Sequence, residues 1–281
     1  TTEIYTLSLH DALPIFIISN KLGWLRTPLY GTEPQFEKGV WFNIQNDARQ
    51  DISYEGIFKC WEQGNELLGG KYTPAMISVH DPDEYLARAR DNTEFKKLFS
   101  DILEAYRALG DLKSEGKVRA VGVGAKNWKT IKLIAEEVDL DWVMFANSMT
   151  IYRHPKDLLE FMDRLHMKGV AIINSAVFHA GFLTGGDFFD YVRIKPDTAE
   201  NSARFRWRED FFSLCRKHKV SPSGACVQFA LTPPGVISIS LNTSRPERVK
   251  ENVSLVECVI PESFWKQMKQ KGLIDNEYPY L

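Results

Sequence analysis

Lys21 and His80 each stand one step past an apolar run, in Phe16-Ile17-Ile18-Ser19-Asn20-Lys21-Leu22-Gly23 and in Ala75-Met76-Ile77-Ser78-Val79-His80-Asp81-Pro82-Asp83. In a parallel α/β protein, residues just beyond the carboxyl ends of strands face the place where ligands bind. A cation and an imidazole presented in that way can meet over one substrate. On pattern alone each has a plainer reading. Lys21 fits a solvated strand-end lysine, and His80 fits a capping or core histidine held by Asp81 or Asp83. Metal chemistry finds no support: His154, His166 and His218 follow helical spacing, His179 stands alone in a turn, and no H-x-H or ligand cluster accompanies His80. No metal is therefore expected. Cys60, Cys215, Cys226 and Cys258 form no C-x-x-C and no His-flanked pair, which suits reduced thiols in a cytoplasmic protein.

The elements that must position these groups alternate. Strands are expected at Ile15 to Asn20, Ala75 to His80, Arg119 to Gly124, Trp142 to Asn147, Val170 to Ser175 and Val236 to Leu241. Helical patterns lie at Tyr54 to Leu68, Glu94 to Ser114, Trp128 to Glu137, Pro155 to Met167, Ala203 to His218, Ser221 to Leu231 and Pro246 to Val256. Ser53 is placed to cap the first and Gly116 to end the second. Such alternation implies a parallel sheet with right-handed crossovers. Six strand–helix units are two short of the (β/α)8 TIM barrel, which takes about 250 residues. A doubly wound dinucleotide fold fits less well. Its nearest candidate, Gly122-Val123-Gly124-Ala125-Lys126-Asn127, lacks the third glycine of the fingerprint.

With 281 residues, 44% of them hydrophobic and 26% charged, and a net charge of -2, the chain favours neither nucleic acid nor an anionic membrane surface. No apolar run approaches the roughly 18 residues of a membrane span. The oligomeric state is left open.

A resemblance sharpens this reading. Ile18-Ser19-Asn20-Lys21-Leu22-Gly23, Ser53-Tyr54-Glu55-Gly56, Ser78-Val79-His80-Asp81-Pro82-Asp83, Glu115-Gly116-Lys117-Val118-Arg119-Ala120-Val121-Gly122-Val123-Gly124, Gly181-Phe182-Leu183-Thr184-Gly185 and Ser244-Arg245-Pro246-Glu247-Arg248-Val249-Lys250-Glu251-Asn252 occur in order at sensible spacing. Together they resemble the aldo-keto reductase family from Phe16 onward, most nearly its D-threo-aldose 1-dehydrogenase, or L-fucose dehydrogenase, branch. The resemblance implies a (β/α)8 TIM barrel lacking roughly its first two strand–helix units. It also implies NAD(P)-dependent hydride transfer at the anomeric carbon of an aldose, lactol to lactone, or at a related carbonyl or alcohol. Lys21 and His80 become the family's catalytic lysine and histidine. A barrel fragment without activity, or a cofactor-binding pseudoenzyme, is the alternative.

The same resemblance assigns cofactor contacts. Asn127 and Asn147 are the amide candidates for the nicotinamide carboxamide, and Ser175 falls where many members stack an aromatic ring. Phe178 and Gly181 precede the turn expected to cover the pyrophosphate. Thr243, Arg248, Glu251 and Asn252 follow the last strand, where a helix start suits a phosphate. Asn242-Thr243 replaces the family's Lys-Ser, which removes a partner for a 2′-phosphate, so NAD is expected at least as readily as NADP. In Gly23 to Asp51, the aromatic residues Trp24, Tyr30, Phe36, Trp41 and Phe42 suit either a sugar-stacking wall or an ordinary loop core.

The family's tyrosine and aspartate belong on an Asp-x-Ala-x-x-Tyr-Gly segment upstream of the lysine, and the printed chain has no such segment. The first methionine is Met76, and Tyr5 to Ile15 resembles a translated sequencing adapter. Residues 1–15 are therefore expected to be non-native and 16–281 a partial barrel. Tyr5, His10 and Asp11 lie outside any family motif and are not expected to substitute for the missing pair.

Overall fold

The computed structural model describes residues 17–36, 43–70 and 72–281. The expected non-native segment, with Tyr5, His10 and Asp11, lies outside the described residues, as do Trp41 and Phe42. The chain divides into two compact units. One takes in the described residues up to Gly124 together with Leu133–Asp141, and the other Ala125–Lys132 with Trp142–Leu281.

In the first unit β1 (Ser19–Leu22) pairs in parallel with β4 (Met76–Val79), which pairs in parallel with β5 (Ala120–Ala125). The expected strand Ile15 to Asn20 is thus shifted, and Lys21 lies within β1 rather than one step past it. The cause is register: Lys21 pairs with Ser78 and Leu22 with Val79, and the His80 N–H then donates to the Leu22 carbonyl at 2.8 Å. Pairing with β4 carries the strand beyond the point where its apolar pattern fades. The segment Gly23 to Asp51, read as a loop, contains an antiparallel pair, β2 (Trp24–Pro28) with β3 (Asn46–Gln50). Sequence reasoning missed it because Arg26, Asp47 and Arg49 interrupt any alternation.

Helix α1 (Tyr54–Leu67) starts where Ser53 accepts the Gly56 N–H at 3.0 Å, as its sequence requires. A short α2 (Pro82–Leu86), not foreseen, follows β4. Helix α3 (Asn92–Ser114) begins two residues earlier than expected because Asp91 caps it, accepting the Glu94 N–H at 2.8 Å. It buries Ile102, Ala105, Tyr106, Leu109 and Leu112, a stripe at helical spacing. The Tyr106 hydroxyl donates to the Gly122 carbonyl at 3.1 Å, so the helix is pinned to β5. The chain leaves α3 at Gly116, whose φ of 71° is open to glycine. Helix α4 (Trp128–Glu137) follows β5 at its expected bounds.

In the second unit β6 (Trp142–Ala146), β7 (Ala171–Ser175) and β10 (Val236–Ser240) are parallel in that order. The β10 register slips between Val236 and Ser238, a bulge that leaves Ile237 71% exposed. Helix α5 (Lys156–Met167) links β6 to β7. A two-residue-stranded hairpin, β8 (Phe188–Phe189) with β9 (Val192–Arg193), stands between β7 and α6 (Ala199–His218). Helices α7 (Pro222–Ala230), α8 (Arg248–Ser254) and α9 (Glu262–Gln270) complete the unit. Phe145, Phe182, Phe211, Phe229 and Phe264 are fully buried and form much of its core. The four cysteines are free thiols, three of them buried.

Candidate functional site

Within the first unit the two residues singled out for chemistry are joined by a third. The Asp81 carboxylate sets Oδ1 3.3 Å from Lys21 Nζ and Oδ2 3.4 Å from His80 Nε2. The plainer reading of His80, a histidine held by Asp81, is therefore real geometry, and it brings Lys21 into the same group. Asp81 has a left-handed backbone at φ 46°, ψ 57°, which turns its side chain back toward both partners as the chain enters α2. Burial pushes its carboxyl upward, but the hydrogen bond and charge of His80 and the Lys21 ammonium outweigh this and hold it down to about 2. The carboxylate is thus anionic at neutral pH. Trp24 meets His80 edge-on at 6.4 Å between ring centroids and packs on Phe36 at 5.6 Å, so part of this aromatic group lies beside the imidazole.

The second unit holds a cavity of about 1450 Å³. Ser175, at the end of β7, and Phe178 and Gly181, just after it, line it from one side, and Thr243, Arg248, Glu251 and Asn252 line it from the segment after β10. Ser175 is buried and donates its hydroxyl to the Phe145 carbonyl at 3.3 Å. Phe178 packs on Val177, Val227, Ala230 and Leu255. Gly181 and Gly185 flank a single helical turn at φ 92° and 106°, conformations that side-chain-bearing residues adopt only under strain. Thr243 accepts the Arg245 N–H at 3.1 Å and so shapes the turn leading to α8. That helix begins at Arg248, and Glu247 makes no side-chain cap.

Asn127 and Asn147 do not line this cavity. Asn127 accepts the Lys129 N–H at 3.1 Å at the start of α4. Asn147 is 4% exposed, has φ 56°, and donates its N–H to the Ser175 carbonyl. Its side-chain Oδ1 is buried with no hydrogen-bond partner among the described residues. A buried amide oxygen normally has a donor, so this unpartnered atom stands out among the buried polar groups of the unit. Sequence reasoning missed Phe188, Tyr191 and Arg245, which also line the cavity. The Asp190-Tyr191 turn lacks the glycine that would have marked a hairpin.

The chain belongs to the aldo/keto reductase family, whose sequence profile its residues 10–272 match. Members of that family are oxidoreductases that use nicotinamide cofactors. The chain is 26% identical over 271 residues to the pyridoxal 4-dehydrogenase of Microbacterium luteolum, covering 92% of this chain and 76% of that protein. It is 24% identical over 267 residues to the D-threo-aldose 1-dehydrogenase of Pseudomonas sp., covering 92% and 75%. Its fold resembles that of an aldo-keto reductase from Bacillus halodurans in its holo form, with a TM-score of 0.64 at 17% identity over 96% of this chain and 76% of that one.

Proposed function

We propose that the chain binds NAD or NADP in the cavity of its second unit and transfers hydride at the anomeric carbon of an aldose or a related carbonyl or alcohol. The observation that carries the reading is convergence. Residues assigned to cofactor on motif alone, from two segments more than sixty positions apart, line one cavity larger than the roughly 300–1,000 Å³ usual for small ligands. A nicotinamide dinucleotide bound there supplies or accepts the hydride.

The chain's own residues do the rest. Arg248 offers a planar guanidinium to a phosphate or to the adenine face, and Thr243 a hydroxyl beside it. Glu251 adds negative charge to this lining, and Asn242-Thr243 brings no lysine, which favours NAD at least as much as NADP. At the substrate oxygen, the Lys21 cation stabilises developing negative charge and His80 donates a hydrogen bond or moves a proton. Asp81 balances the Lys21 charge and holds the His80 ring. The Pseudomonas relative is named for dehydrogenation of aldoses, which supports a sugar substrate, and cytoplasmic residence accords with the reduced thiols.

A second reading has one observation in its favour. Among the described residues no tyrosine hydroxyl contacts Lys21 or His80, although the family resemblance calls for a phenol as proton donor. A chain without that donor binds cofactor but turns over roughly 10²- to 10⁴-fold more slowly. Mixing the 281-residue chain with NAD or NADP and a panel of aldoses, and following reduced cofactor, tests both. Saturable turnover supports the dehydrogenase; binding without turnover supports the fragment; neither binding nor turnover by folded protein rejects both.

A further inference from the structure

His179 is fully buried, yet both its ring nitrogens are engaged. Nδ1 lies 2.5 Å from Asp190 Oδ1, and Nε2 lies 2.8 Å from the Thr150 hydroxyl. The Thr150 hydroxyl itself accepts the Arg153 N–H at 2.9 Å. Burial pulls the imidazole toward its neutral form, in which Nδ1–H donates to Asp190 and Nε2 accepts from Thr150. The ring stacks on Phe189 at 4.6 Å with 3° between planes, and Tyr152 meets it edge-on at 5.7 Å. The other Asp190 oxygen accepts from Arg153 Nη1 at 3.2 Å.

What this network holds is a turn its sequence disfavours. Phe189 pairs with Val192, so Asp190 and Tyr191 alone connect β8 to β9, at φ 46° and 72°. Two-residue hairpins of this hand take Asn-Gly or Asp-Gly, because both positions require positive φ. Tyr191 supplies no such freedom. His179 and Ala180 are also left-handed, at 48° and 56°. The residues set by these conformations, Phe178, Ala180, Gly181, Phe188 and Tyr191, all line the large cavity.

We infer that His179, Asp190 and Arg153 form a positioning clamp for the cavity rim, holding the left-handed Asp190–Tyr191 turn so that Tyr191 and Phe188 retain the bound ligand. For the ligand this rests on the reading of the cavity as a dinucleotide site. The clamp acts on dissociation: releasing the hairpin opens the rim without removing any group that first recognises the ligand.

The test compares the wild-type chain with Asp190→Ala, Asp190→Asn, His179→Leu and His179→Asn, each checked for folding by circular dichroism. NADH and NADPH binding is followed by stopped-flow fluorescence. Asp190→Ala and His179→Leu are expected to speed dissociation about tenfold or more with association changed less than about threefold. His179→Asn, which keeps an N–H near the Nδ1 position, is expected to retain most of the wild-type residence time, and Asp190→Asn to fall between. Wild-type dissociation in the folded Asp190→Ala and His179→Leu proteins overturns the clamp. If the wild type binds neither nucleotide, the dinucleotide reading fails, and hydrogen exchange then decides the clamp alone. The Ile194 amide, bonded to the Asp187 carbonyl at 2.9 Å across the hairpin base, should exchange faster in ligand-free Asp190→Ala; unchanged exchange overturns the clamp.

Discussion

Replacing Asp81 by asparagine should lower stability in a way that depends on pH. The carboxylate is held at about 2 against an ordinary value of 3.8. A depression of that size corresponds to about 2.4 kcal/mol of added stability when the group is ionised in both folded and unfolded chain. The Lys21 side chain is 47% exposed and that of Asp81 30%, so solvent screening reduces this to about 1–2 kcal/mol. Because the folded value is the lower one, the contribution is fully present above the unfolded value and is lost as pH falls toward 2. By linkage roughly half is gone at pH 3. Urea titrations of wild type and Asp81→Asn should therefore show a gap of about 1–2 kcal/mol at pH 7, shrinking by about half at pH 3. Equal stability at pH 7, or a gap unchanged at pH 3, would refute the claim that Asp81 is a charged partner of Lys21 and His80.

Lys21→Met and His80→Gln should each lower turnover by about 10²-fold or more while leaving nucleotide dissociation constants within about threefold, since cofactor contacts are assigned to other residues; steady-state kinetics with parallel binding titrations checks this. Ser53→Ala removes the hydroxyl that caps α1 and should cost about 1 kcal/mol in denaturant unfolding. Gly181→Ala meets no neighbour nearer than Thr184 Oγ1 at 3.9 Å, so its effect is conformational. Forcing alanine to φ 92° should cost about 1 kcal/mol or more, seen as a fall in Tm of about 2–4 °C.

Much of the fold was legible because parallel strands are apolar runs bounded by turn chemistry. Each of the six expected strands has a counterpart, and Ser53 and Gly116 mark helix ends where they were expected to. Failures occurred where tertiary pairing overrode local pattern. β1 extends through Lys21 because β4 accepts its backbone, and β2 with β3 hides among charged residues. The hairpin β8–β9 was illegible for a related reason: its turn is stabilised by His179 and Arg153 from elsewhere in the chain rather than by its own residues. For the site, short motifs located the segments that line the cavity, since backbone turns such as Gly181 to Gly185 leave glycine signatures. Asn127 is not among the residues lining the cavity; its side-chain oxygen accepts the Lys129 N–H at the start of α4, a local use that its loop position does not announce. Asp81 stood next to His80 in plain view, but its link to Lys21 depends on a left-handed backbone that sequence does not announce.

The most direct test of the account is equilibrium titration of the folded 281-residue chain with NADH and NADPH, alongside Arg248→Ala. The account predicts saturable binding of at least one nucleotide, weakened about tenfold or more in Arg248→Ala, as loss of a charged phosphate contact requires. Absence of binding to folded wild-type protein, or equal affinity in Arg248→Ala, would contradict it.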